Sequence, residues 1–166
     1  MSTRNTLLAF GVLVLAACGG GSGVRAGDVA PIASAEAAVR EFLAAVQDSN
    51  IARMGRSWGS ASGPAIVTGE PNQWEQRLKV VQIVLRRGTY RVTSNVADPS
   101  SSNKRSLNVE FTRGTCVKNV PFTAVNTGNG GWLVESLDIV AAGNPINPCP
   151  AAPGSENAAP APAGNP

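Results

Sequence analysis

The spacing of apolar residues changes once along the chain. Between residues 34 and 88 apolar side chains recur every three or four positions, which is the spacing of one buried helix face. Ser34 can cap the first helix of this region, and Ser49 or Asn50 can cap the second. The pattern predicts three helices, over residues 34–48, 49–58 and 71–88, separated by a loop over residues 59–69 that is rich in glycine.

The third predicted helix has the widest apolar stripe. Its main stripe contains Trp74, Leu78, Val81 and Leu85 at helical spacing. Further apolar residues broaden this stripe, namely Val80, Ile83 and Val84. We therefore expect this helix to pack against more than one neighbour.

From residue 89 onward the apolar residues alternate with a period of two, which is typical of half-buried strands. Four strands are predicted, over residues 89–96, 106–113, 116–126 and 132–140. Pro121 implies an edge position or a bulge for the third strand, because proline has no backbone N–H to donate. The order of elements predicts an α+β fold, with three N-terminal helices packed on a curved four-stranded antiparallel sheet.

The two ends of the chain have different compositions. Residues 7–17 form an unbroken apolar run after Arg4, which is the layout of an export signal. A helix of this length spans about 16 Å, roughly half of the hydrocarbon core of a bilayer. Residues 19–31 are rich in glycine and predict a flexible tether, while residues 151–166, rich in Ala, Pro, Gly and Asn, predict a disordered tail.

Leu15, Ala16, Ala17 and Cys18 resemble the lipobox of bacterial lipoproteins. In that family the signal is cleaved before the cysteine, which then carries diacylglycerol and an N-linked acyl chain, often palmitate. The resemblance implies an exported protein anchored to the cell membrane or outer membrane through Cys18, and Gly19 favours the outer membrane by the family's retention rule. The alternative is an ordinary secretory signal that ends near a cysteine. The lipobox reading gives four segments: signal peptide 1–17, lipidated cysteine and tether 18–33, α+β domain 34–141, and tail 142–166.

If Cys18 carries lipid, Cys116 and Cys149 are the remaining cysteines. An exported domain meets an oxidising compartment, in which two cysteines usually form a disulfide. We therefore expect Cys116 to pair with Cys149, and the alternative is two free thiols. Such a disulfide would stabilise the fold by about 3–4 kcal/mol, since it restricts the unfolded chain.

The composition excludes several classes of chemistry. The chain has no histidine, which excludes Ser-His and Cys-His nucleophile pairs. Because it also has only three cysteines and no CxxC pair, a structural zinc site is excluded as well. Fourteen basic and eleven acidic residues give a net charge of +3, which is too balanced to indicate nucleic-acid binding. No cofactor or metal is predicted.

The element order resembles the nuclear-transport-factor-2-like, cystatin-like superfamily, which includes ketosteroid isomerase. The resemblance rests on residues 37–46, 49–58 and 131–139, without a diagnostic motif. It implies a cone-shaped fold with an apolar pocket at the wide end. Five aromatic residues are candidates to line that pocket, with ordinary core as their alternative role: Trp74, Tyr90, Phe111, Phe122 and Trp132.

An enzyme of the ketosteroid-isomerase type would need a carboxylate base and a Tyr or protonated Asp as hydrogen-bond donor. The candidates are Tyr90, Glu110, Glu135 and Asp138. Strand alternation favours a solvent-facing Glu110, and it turns either Glu135 or Asp138 inward. We predict a non-catalytic binding or assembly module of the cell envelope, with a small-pocket enzyme acting on an apolar molecule as the alternative.

The expected partners follow from the anchor and the pocket. They are the membrane, through the N-terminal lipid, and a small apolar ligand, another envelope protein or a second copy of the chain. The basic pairs Arg86–Arg87 and Lys104–Arg105 are candidates for contact with anionic headgroups. Their alternative explanation is local, since helix C-termini favour arginine and hairpin ends favour lysine.

Overall fold

The structure is a computed structural model that describes residues 29–129, 131–146 and 149. The expected signal peptide, Cys18, the first part of the tether and the predicted disordered tail lie outside the described residues. Residues 29–32, assigned above to the end of the tether, run beside the last strand, where Trp132 N donates a hydrogen bond of 2.9 Å to Ile32 O.

The first two helices follow the sequence prediction closely. Helix α1 spans Ala35–Gln47, and the Oγ of Ser34 accepts a hydrogen bond from Ala37 N at 3.1 Å. Helix α2 spans Ile51–Ser57, and its cap is Asn50, whose Oδ1 accepts from Arg53 N at 2.9 Å. These side chains satisfy backbone N–H groups that a helix start leaves free, which explains where both helices begin.

The prediction of a plain loop over residues 59–69 is wrong. The chain there forms a small hairpin of β1 (Gly59–Ser60) and β2 (Gly63–Pro64), followed by the single helical turn α3 (Ala65–Thr68). The two hairpin strands approach closely at Gly59, where an added Cβ would lie within 3.0 Å of Gly63 and of a Leu133 methyl carbon. Glycine at this point therefore permits a close backbone contact rather than marking an open loop.

Helix α4 spans Trp74–Leu85 and packs with one face only. Leu78, Val81 and Leu85 are buried, whereas Val80 and Ile83 are 55% and 60% exposed. The prediction that these two residues widen a buried stripe is therefore wrong, although the expectation of more than one neighbour is confirmed, since α4 contacts both α1 and α2. Apolar character alone did not indicate on which sides of the helix the fold provides a neighbour.

The four-stranded antiparallel sheet has the order β3-β4-β5-β6, and the described chain is α+β with its helices before this sheet. Its strands are β3 (Thr89–Ala97), β4 (Lys104–Arg113), β5 (Cys116–Asn126) and β6 (Trp132–Leu137). The last strand ends earlier than predicted, because Asp138 begins a turn: its Oδ1 accepts from Val140 N at 3.0 Å and from Ala141 N at 3.1 Å.

Pro121 lies in a central strand, since β5 pairs with β4 on one side and with β6 on the other. The carbonyl of Pro121 accepts a hydrogen bond of 2.9 Å from Asp138 N, just after β6 ends. In an extended strand the N–H and C=O groups of a residue point to the same side, so the missing N–H of Pro121 faces the end of β6. The register with β6 shifts between Thr123 and Ala124, where Glu135 is the extra residue, so this bulge belongs to β6. Both parts of the prediction for Pro121, an edge position or a bulge in the third strand, are therefore wrong.

The core lies between α1 and the inner face of the sheet. Helix α1 crosses β5 and β6, and its apolar stripe faces the alternating inward residues of β4 and β5. The largest fully buried side chains of the described domain are Phe42, Phe122, Leu43, Met54, Leu78, Leu85 and Leu107. Bulges in β3 and β6 change the register of the sheet locally, which bends its strands.

Candidate functional site

Two of the five candidate pocket aromatics are part of the core. Phe111 and Phe122 are each 2% exposed, on the strand face that packs against the helices. Phe122 contacts Phe42 of α1 edge-on, with ring centroids 6.5 Å apart. Both rings are therefore part of the packed core between the helices and the sheet.

The other three aromatics are half-buried at separate places. Trp132 lines a surface cleft of about 510 Å³, described below. Trp74 rests on Gly55 of α2 and borders a shallow depression at the start of α4. Tyr90 lies opposite Phe111 in the strand register and packs against the edge of the core. The structure therefore does not bring the five aromatics around one cavity in the described part of the chain.

The cleft beside Trp132 forms where three loops meet. Residues 29–32, residues 61–64 of the small hairpin, and the turn before β6 make up most of its wall. Pro31 lies close to Gly131, where an added Cβ would be 3.2 Å from the proline ring. Among the described lining residues no side chain is charged, so the cleft offers a ligand apolar surface, backbone groups and the polar side chains of Ser62, Thr127 and Asn129.

Each of the three candidate carboxylates has a partner of its own near the surface. Glu110 lies opposite Arg91 in the strand register, and its carboxylate oxygens are 3.1 Å from the guanidinium. Glu135 Oε2 lies 2.6 Å from Lys104 Nζ, and Asp138 closes the turn that ends β6. Neither Glu135 nor Asp138 enters the core, so the expectation that one of them turns inward is wrong.

Ser57 is the buried polar residue of the described core, and its Oγ donates to Met54 O at 3.2 Å. The indole N–H of Trp58 is also buried and has no hydrogen-bond partner among the described residues.

No group of three or more Cys, Asp and Glu side chains among residues 29–129, 131–146 and 149 is arranged to hold a metal ion. No helix in the same ranges combines the length and the apolar character needed to cross a bilayer.

The predicted disulfide is confirmed. Cys116 and Cys149 are joined, with Cα atoms 5.7 Å apart and a sequence separation of 33. The bond ties the start of β5 to the segment that follows the last strand. It therefore encloses β5, β6 and the turn between them in one covalent loop.

Two arginines have structural roles that the sequence pattern did not reveal. Arg53 of α2 binds both carboxylate oxygens of Glu41 on α1, at 2.7 and 2.9 Å, and also contacts Asp48. The hydrogen bond to Glu41 raises the pKa of Arg53 above its ordinary value, with the charges of both carboxylates adding to it. Residues 12 positions apart on different helices meet only through the turn between them, so helical spacing gave no signal for this pair.

Arg113 caps the end of α4 from a neighbouring strand. Its Nε donates to Arg87 O at 2.9 Å, its Nη2 donates to Val84 O, and its guanidinium lies 4.9 Å above the ring of Phe111. Partial burial lowers the pKa of Arg113 from its ordinary value. The carbonyl group of Val84, near the end of α4, thus has a partner contributed by the sheet.

The two basic pairs have different surroundings. Lys104 binds Glu135, and the Nη2 of Arg105 donates to Asn95 O at 3.0 Å. Arg86 and Arg87 are exposed and form no ion pair with another described residue.

Comparison of the chain with protein-family models, with curated proteins and with solved structures finds no match.

Proposed function

We propose that this chain is an exported, lipid-anchored, non-catalytic binding or assembly module of the bacterial cell envelope, with cystatin-like architecture. The lipobox-like residues that end in Cys18 support the anchor and the location. The Cys116–Cys149 disulfide supports folding outside the cytoplasm, because such bonds persist in oxidising compartments. The α1 helix lying across a bulged antiparallel sheet supports the cystatin-like assignment.

One observation carries the non-catalytic part of the proposal: aromatic and aliphatic side chains fill the interior that would otherwise hold a reaction site. Phe111 and Phe122 lie there at 2% exposure, beside the fully buried Phe42. Two of the candidate catalytic carboxylates, Glu110 and Glu135, each form an ion pair with a basic side chain at the surface. This arrangement favours a domain that acts through its surface.

The alternative of a ketosteroid-isomerase-type enzyme would need a base and a hydrogen-bond donor directed at one apolar cavity. Tyr90 is the candidate donor, and the nearest candidate base by register is Glu110, on the neighbouring position of β4. Successive residues of a strand point to opposite faces, so Glu110 is directed away from the face of Phe111 and Tyr90. The placement of these side chains therefore favours the binding module.

The anchor is tested by expressing the full chain in a bacterium supplied with an alkyne-labelled fatty acid. We expect label on the protein and an intact mass that corresponds to a triacylated chain beginning at Cys18. Cys18→Ser should abolish the label, while Cys116→Ser serves as the matched control and should keep it. An unlabelled protein that retains Met1 would refute the anchor and the proposed location.

The binding role is tested by native mass spectrometry of the acylated chain purified from membranes in mild detergent. We expect a stoichiometric envelope protein or a small apolar molecule to remain bound. For a small molecule the cleft beside Trp132 is the expected site, and Trp132→Ala should release it, whereas Trp74→Ala should not. A chain that carries no partner under these conditions and after chemical crosslinking in cells would refute the binding role.

A further inference from the structure

The outer face of α4 carries an apolar pair surrounded by cations. Val80 and Ile83, one helical turn apart, lie on the side of the helix opposite Leu78, Val81 and Leu85. At 100° per residue, Arg77 and Lys79 flank this pair on its two sides, and Arg86 and Arg87 directly follow the helix. We call Arg77, Lys79, Val80, Ile83, Arg86 and Arg87 the α4 surface.

The four cations of the α4 surface have no ion-pair partner among the described residues. Glu75 is the acidic residue of this helix; it lies one turn before Lys79 without an ion pair to it among the described contacts, and it is remote from Arg86 and Arg87. Gln47 contacts the end of α4, and the next residue, Asp48, is bound to Arg53. The α4 surface therefore has a net positive charge that nearby carboxylates do not neutralise.

The usual local explanation for arginine at a helix end is that it binds the free carbonyl groups there. In this chain other residues do so. Arg113 donates to Val84 O and Arg87 O, and Gln47 Nε2 lies 3.5 Å from Leu85 O and 3.0 Å from Gly88 O. The side chains of Arg86 and Arg87 are thus not needed to cap α4.

We propose that the α4 surface docks on the headgroups of an anionic lipid bilayer. Cations around a small apolar centre match a negatively charged surface with an acyl region just beneath it. A second copy of the chain fits less well, because pairing two α4 surfaces would oppose cations of the same sign. The proposal rests on the proposed anchored location, and it deepens it by naming the surface that faces the membrane.

The distance between the lipid and the domain allows this docking. Ten residues lie between the expected lipidated Cys18 and Val29, where the described residues begin. Such a segment extends to at most about 40 Å. A domain of this size has a radius of gyration of roughly 13 Å, so the tether allows α4 to reach the bilayer.

The test uses the unlipidated chain from residue 19 to residue 166, which keeps every described residue, and vesicles of phosphatidylcholine with or without 30% phosphatidylglycerol. We expect co-sedimentation with the anionic vesicles that is lost at high salt, and little with the neutral ones. Each cation near an anionic surface contributes about a fivefold factor, so R86Q/R87Q should weaken partitioning by about 25-fold.

R56Q/K118Q is the matched control, since it removes the same charge from α2 and β5, at side chains that have no ion-pair partner among the described residues. It should weaken partitioning by less than about threefold if docking is confined to the α4 surface. I83T should weaken it by roughly threefold to tenfold through lost apolar contact. Circular dichroism checks that each variant keeps its fold.

Three results would overturn the α4 proposal: no binding to anionic vesicles, equal losses in R86Q/R87Q and R56Q/K118Q, or self-association without vesicles that I83T abolishes. The last would show that a second copy covers the surface. Lipidation of the full chain is measured separately, by intact mass. A chain without acyl groups whose residues 19–166 still show the expected vesicle binding would refute the anchor but not the α4 surface.

Discussion

Gly55 provides a sharp test of how α2 and α4 pack. It lies buried within α2, beneath the indole of Trp74. A methyl carbon at Gly55 would be 2.8 Å from Trp74 Cη2 and closer still to Cζ3, so the ring must move. Replacing glycine by alanine in a helix normally stabilises it by about 1 kcal/mol. Overpacking costs about 1–3 kcal/mol, so Gly55→Ala should lower the free energy of unfolding by about 1 kcal/mol.

The sign of this effect should reverse when the indole is absent. In a Trp74→Ala background nothing opposes the helix propensity of alanine, and Gly55→Ala should raise the free energy of unfolding by about 1 kcal/mol. The coupling between the two positions is then about 2 kcal/mol, which a double-mutant cycle measures directly. Trp74→Leu, which lacks the ring atoms that meet Gly55, provides a second background if Trp74→Ala does not fold.

Urea unfolding of the oxidised protein, followed by circular dichroism, gives the four free energies of the cycle. Gly128→Ala is the control, because its Cβ would meet nothing within 4 Å, and it should change stability by less than about 0.5 kcal/mol. Stabilisation by Gly55→Ala while Trp74 is present would refute the reasoning. So would the same sign of effect in both backgrounds.

Three further predictions concern the disulfide and two caps. Cys116→Ser/Cys149→Ser should lower the free energy of unfolding by about 3–4 kcal/mol in urea, and reductant should leave this variant unchanged while destabilising the native chain to match it. Ser34→Ala should cost about 1 kcal/mol in the same assay, and Ser34→Asp should cost little, because aspartate also caps. Arg113→Gln should cost roughly 2 kcal/mol and speed amide exchange in the last turn of α4; unchanged exchange would contradict its capping role.

Features set by neighbouring residues were predictable from the sequence. The first helix has a cap at Ser34 and five apolar residues at helical spacing, and both signals lie within 15 positions of chain. The strand from Cys116 to Asn126 was placed correctly because alternation and flanking turns define it. The disulfide was predictable for a different reason: with Cys18 assigned to the lipid, only one pairing was left.

Features set by contacts between distant segments were not predictable. The apolar residues Val80 and Ile83 have the spacing of a buried stripe, but no element of the described fold covers their side of α4. Strand parity put Phe111 on the inner face correctly, yet it could not say whether a cavity lies beside the ring. That depends on how closely Phe42 of α1 approaches the sheet, which is decided by the packing of two elements.

The two basic pairs show why charge in a sequence does not equal charge available for binding. Both pairs lie at the end of an element and look alike in the sequence. The sheet places Glu135 beside Lys104 and Asn95 beside Arg105, so the groups of that pair are engaged within the fold. Arg113 and Gln47 bind the carbonyl groups at the end of α4, so the second pair has no internal task of that kind. We therefore expect an external anion to bind at α4 rather than at the hairpin.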